Sequence, residues 1–113
     1  MTTSISALLN GIETGALKFA DVIAFIDGNY DYTPVEFSNV EAVNAAGTNE
    51  GSAKVFSLAK LHGLNQLDTL KLFAEHYQSV LGNPDGTDHA NIRNFMHYGW
   101  QGIGLQKNAL TAR

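Results

Sequence analysis

The chain has 113 residues, 44% of them hydrophobic, with seven Lys/Arg against eleven Asp/Glu and no cysteine. That is one globular domain able to bury a core, and it excludes a disulfide scaffold, a thiolate metal site and a cysteine nucleophile. A net charge of −4 with scattered basic residues speaks against nucleic acid, whose affinity rests on a basic patch. No apolar run is long enough to span a membrane, and no basic region precedes a long apolar stretch at the N-terminus, so no signal peptide is expected.

Thr3 or Ser4 can cap a first helix running to about Glu13, in which Ile5, Leu8, Leu9 and Ile12 form one apolar stripe ended by Gly15. A second helix is expected over Phe19–Asp27, with Val22, Ile23 and Ile26 inward and Gly28-Asn29 as its stop. The chain then turns rich in β-branched, aromatic and small residues. Tyr32–Phe37 and Glu41–Val43 read as a hairpin around Ser38-Asn39, with Pro34 suiting an edge strand.

Gly51–His62 carries a wide apolar arc (Val55, Phe56, Leu58, Ala59, Leu61) and reads as the most buried helix. Asn65 caps a helix from Gln66 to Leu81, with Leu67, Leu70, Phe73, Ala74, Tyr77, Val80 and Leu81 on its inner face. Lys71 and Glu75 lie four apart on its outer face, at pairing distance. The stretch 82–86 (GNPDG) is a turn in which Pro84 fixes φ and Gly86 tolerates positive φ. A last helix is expected over His89–Tyr98, and a third strand within Trp100–Leu110 beside the hairpin. The whole reads as one α+β domain over residues 1–113. It is mostly helical, with about five helices and a small antiparallel sheet made by the central hairpin and a C-terminal strand.

Two polar clusters invite a functional reading. In Asp88-His89-Ala90-Asn91-Ile92-Arg93 the simplest role for Asp88 is to cap the helix that follows. His89 and Arg93, four apart, neighbour each other, while Ile92, Phe95 and Met96 turn into the core. The second cluster, residues 44–54, leads into a helix N-terminus, a natural anion site. It lacks the GxxxxGK[ST] spacing, and Asn49 or Ser52 as a helix cap is the simpler reading. Ser52 as a nucleophile needs a base, for which His89 is the attractive partner. The histidines (His62, His76, His89, His97) include no pair four apart and no HExxH, and a turn accounts for Asp85, Asp88 and His89, so no metal site is expected. Tyr30, Tyr32 and Phe37 read as packing.

Taken together and in order, Tyr30-Asp31-Tyr32-Thr33-Pro34, Phe37-Ser38-Asn39, the run from Asn44 to Phe56 and the run from Asp88 to Phe95 resemble the HopJ type III effector family. The resemblance extends from the first helix to Gly99-Trp100-Gln101-Gly102-Ile103. Two positions depart from the family's pattern. Val40 follows Asn39 where Gly is common, and Ala53 stands where many relatives carry Cys.

The resemblance implies a bacterial protein, either resident in the cytoplasm as a housekeeping protein or delivered through a type III system into a host cell. It brings no established enzymatic activity with it. The expected mode of action is binding of a protein or small ligand, with no cofactor, nucleic acid or membrane partner. The ligand residues would be Tyr32, Asn49, Glu50, Ser52, Lys54, Asp88, His89, Asn91 and Arg93. The alternative is a small hydrolase or transferase. In it His89 is the base, Glu50 or Asp88 orients it, and Lys54 or Arg93 clamps an anion. One shared cleft would favour a ligand or catalytic site; separate helix caps would make the motifs structural.

Overall fold

The computed structural model describes residues 5–40, 42–45, 47, 49–105 and 107–112, so the cap expected at Thr3 or Ser4 lies outside the described residues. Six α-helices are seen among them: α1 (Ile5–Glu13), α2 (Phe19–Asn29), α3 (Glu50–Leu61), α4 (Gln66–Lys71), α5 (Glu75–Leu81) and α6 (Ala90–Tyr98). Strands β1 (Tyr30–Tyr32), β2 (Phe37–Asn39), β3 (Ala42–Asn44), β4 (Ile103–Leu105) and β5 (Leu110–Ala112) make two small antiparallel sheets.

The sheet expected from the hairpin and a C-terminal strand is present, in the order β3-β2-β4, with Phe37 opposite both Asn44 and Leu105. The hairpin itself is placed differently. Asn39 pairs with Ala42, so the reversal begins at Val40 and not at Ser38-Asn39. Tyr32 belongs to a separate strand that pairs with β5, Tyr32 opposite Leu110, and Pro34 lies between β1 and β2 outside either ladder. Pro34 has no N–H to give a ladder, which suits that position.

The helix expected over Gln66–Leu81 is two helices. Asn65 caps the first as expected, its side chain accepting from the Asp68 amide at 2.8 Å. Over 72–74 the amides bond three residues back instead of four, to Thr69, Leu70 and Lys71, and Ala74 then takes φ 51° and ψ −123°. One continuous helix would turn Leu72 away from Leu70 and Phe73. The break lets all three enter the core. It also separates Lys71 from Glu75. Lys71 binds Glu13, and the Glu75 carboxylate accepts from the Phe19 amide at 2.7 Å. Leu61, Leu67 and Leu81, expected on inner faces, are exposed.

The core is centred on α3, where Val55, Phe56, Leu58 and Ala59 are all fully buried. The Phe56 ring meets Phe37, Phe73, Phe95 and Trp100 at centroid distances of 5.9, 5.6, 5.1 and 6.2 Å. Gln66 closes the far end of α6, its amide donating to the carbonyls of Phe95 and Met96.

Val40 is a β-branched, exposed residue at φ 61°, a conformation that suits glycine. Val40→Gly is expected to stabilise the fold by about 1 kcal/mol, the relieved strain exceeding the entropy a glycine loses on folding. Denaturant titration would show a raised midpoint; a lowered one would mean that the Val40 side chain contributes more through packing than it costs in strain.

Candidate functional site

The corner around residues 83–93 is built by Arg93. Its guanidinium donates to the Asp88 carbonyl (2.5 Å), the Asp88 carboxylate (2.6 Å) and the carbonyls of Asn83 and Pro84 (2.9 and 3.2 Å). A Cβ on Gly86 would stand 2.7 Å from that guanidinium. Gly86 does not adopt positive φ, and a side chain there would press on the side-chain ends of Asn83 and Arg93.

Asp88 does not cap α6, contrary to its simplest sequence reading. His89 intervenes as the N-cap residue in the left-handed region (φ 52°), and the Asp88 carboxylate is taken by Arg93. The hydrogen bond from Arg93 holds the Asp88 carboxyl below its usual range, with Arg93 and His89 adding attraction. A depressed carboxyl stabilises the fold above its unfolded pKa, and that contribution is lost as the pH falls through the folded value. Acid unfolding of the wild type should therefore lose stability below the ordinary carboxylate range more steeply than Arg93→Met does. Parallel profiles would show that the pair does not couple to folding.

The head of α3 repeats the device. Asn49 is its N-cap residue, also left-handed (φ 48°), and its side chain makes no cap bond, donating instead to Asn44 Oδ1 at 2.5 Å. Asn49 therefore does not form the cap expected of it, and Ser52 lies inside the first turn of α3, past the cap position. The two helix heads are tied together by asparagines. Asn91 Nδ2 donates to Asn44 Oδ1 (3.2 Å), and Asn39 Nδ2 donates to Asn91 Oδ1 and to its carbonyl (3.1 and 2.9 Å). Asn39, Asn44 and Asn91 are buried.

Between these heads opens a cleft of about 540 Å³, within the range of small-molecule sites. The first turns of α3 (Asn49, Gly51, Ser52) and α6 (His89, Ala90, Asn91, Ile92) line it on two sides, and Asn44, Phe19, Phe73 and His76 complete it. The opening amides of a helix have no acceptor within it and carry its positive dipole end. Here two such ends share one cleft, and the ring of His76 lies 5.2 Å from that of His89.

Of the residues singled out from the sequence, Asn49, Ser52, His89 and Asn91 line this cleft, while Tyr32, Glu50, Lys54, Asp88 and Arg93 are not among its lining residues. Lys54 binds Asp27 at 2.8 Å and lies 4.9 Å from the centre of the Tyr32 ring. Burial and then the neighbouring Glu50 carboxylate push the Tyr32 hydroxyl up to about 12. Tyr32, Glu50, Lys54 and Asp27 thus make a cluster separate from the cleft. His76, Phe19, Asn44 and Asn39 were missed as site residues. His76 and His89 are thirteen residues apart, a spacing that carries no ligand signal.

The architecture is thus a small α+β domain in which two helix heads and an asparagine network frame a polar cleft. The chain matches the family described as HopJ type III effector protein over residues 5–110, and it belongs to that family. It is also similar to VPA0580, whose crystal structure is described as that of a protein of unknown function. The two share 38% identity, with 100% of this chain and 97% of that one covered and a TM-score of 0.88. None of the curated proteins searched matches it. Among the described residues no helix is long and apolar enough to cross a membrane, and no group of three or more His, Asp or Glu is placed to hold a metal.

Proposed function

We propose that this HopJ-family chain acts by binding a small anionic ligand in the cleft between the heads of α3 and α6. The observation that carries this reading is the convergence of two helix N-termini, neither capped by its own N-cap side chain, on one cleft. Backbone amides and dipole ends of this kind favour oxyanions such as phosphate or carboxylate. The asparagine network pre-positions the two heads, which lowers the ordering cost of binding. The family's description supports a bacterial effector role, in which ligand capture would take place in a host cell.

Ser52→Asp tests the reading. It puts a carboxylate in the first turn of α3, which should raise helix stability while occupying and repelling the anion site. Calorimetric titration with inorganic phosphate should show binding to the wild type and none to Ser52→Asp, with no fall in the melting temperature of the variant. Equal binding by both proteins would place any anion elsewhere. Ser52 and His89 share this cleft, the feature that favours a hydrolase reading. Turnover of a phosphate or acyl ester, lost in Ser52→Ala, would support it.

A further inference from the structure

We propose that anion capture in this cleft is coupled to proton uptake by the His76–His89 pair. The inference rests on the anion-binding reading above and adds a regulation to it. The two rings line one cleft at a centroid separation of 5.2 Å and tilt 40° to one another. They come from different elements, His76 from α5 and His89 from the residue that opens α6. The Phe19 ring meets His76 edge-on at 4.8 Å, closing that side with an apolar wall.

Imidazoles are the side chains whose charge ordinarily changes between about pH 5 and 8. Two imidazolium charges this close repel each other, and an anion seated in the cleft against both rings offsets that repulsion. Linkage then works in both directions: a bound anion draws in protons, and a lower pH tightens the anion.

The charges facing the pair support this direction. On α5, Glu75 adjoins His76 and is attracted to it and to Lys18 at the head of α2. Beside α6, an Asp88 carboxylate oxygen lies 3.9 Å from His89 Nε2, with Arg93 behind it. Glu50 in the first turn of α3 lies against Tyr32. Asp88 is already paired with Arg93, and Glu75 is shared between His76 and Lys18, so two imidazolium charges here exceed what the two carboxylates balance, and the anion is left to balance the excess.

Sulfate is the probe, because its charge stays constant across the range in which imidazoles titrate. Wild-type protein is expected to bind sulfate about tenfold or more tightly at about pH 6 than at about pH 8. Calorimetry at about pH 7 in two buffers of different ionisation heat should show protons taken up with each sulfate bound. The double variant His76→Gln/His89→Asn, in which asparagine tolerates the left-handed backbone at position 89, should bind with the same affinity at both pH values. Sulfate binding that is independent of pH and of buffer in the wild type overturns the coupling and leaves the anion site standing. No sulfate binding at either pH overturns both.

Discussion

Phe56→Ala is expected to remove about 4 kcal/mol of folding stability. Phe56 is fully buried and touches four other aromatic rings drawn from β2, from the α4–α5 break, from α6 and from the turn after it. Truncation removes the transfer energy of the ring, leaves a cavity that all four border, and cancels ring pairs worth about 0.5–1.5 kcal/mol each. Against a total of about 5–15 kcal/mol for a domain of this size, that is a large share. Thermal unfolding should move down by roughly 15–25 °C. Phe56→Leu, which keeps most of the volume, should lose less than half as much. Equal losses for the two would mean that ring geometry, and not filled volume, holds the core.

Asn39→Asp should be nearly as costly at neutral pH, although it exchanges one NH₂ for an oxygen. Asn39 is fully buried, its NH₂ group donates to two oxygens of Asn91, and its Oδ1 has no hydrogen-bond partner among the described residues. A carboxylate there would face two acceptors with no cation beside it. The expected loss is about 3–5 kcal/mol, the cost of an uncompensated buried charge. Burial raises the folded pKa of such an acid, so the protonated form keeps its stability below the unfolded carboxylate pKa and loses it as the pH rises. The variant should therefore regain stability relative to wild type on acidification to about pH 4. A pH-independent difference would show that position 39 is hydrated.

The helical frame was legible because its signals are local. The apolar arc of Val55, Phe56, Leu58 and Ala59 identifies α3 as the core helix, and Asn65 marks the start of α4. The break at Leu72–Ala74 was not read, since it contains neither Gly nor Pro. Its trace is the consecutive apolar run Leu72-Phe73-Ala74, too wide for one helical stripe. Only Tyr32 of the Tyr30–Tyr32 strand is assigned from sequence, and to the hairpin, because the strand's partner, Leu110–Ala112, lies about eighty residues away, beyond any local pattern.

The candidate site divides along the same line. His89, Asn91, Asn49 and Ser52 stand out as polar residues at two helix heads, and the fold does bring them to one cleft. Asp88 and Arg93 stand out equally, yet they form the corner that presents His89, a distinction set by Arg93 reaching back ten residues to Asn83. Left-handed backbone at Asn49 and His89 turns both cap side chains away from their helices, against the propensity that makes Asn and Asp good caps. His76 enters only through tertiary contact.

The most direct test of an anion site between the heads of α3 and α6 is an amide-resolved NMR titration with inorganic phosphate. The amides of Gly51, Ser52, Ala90 and Asn91 should shift first, together and with one dissociation constant. Shifts confined to other surfaces, or no shifts at all, would contradict it.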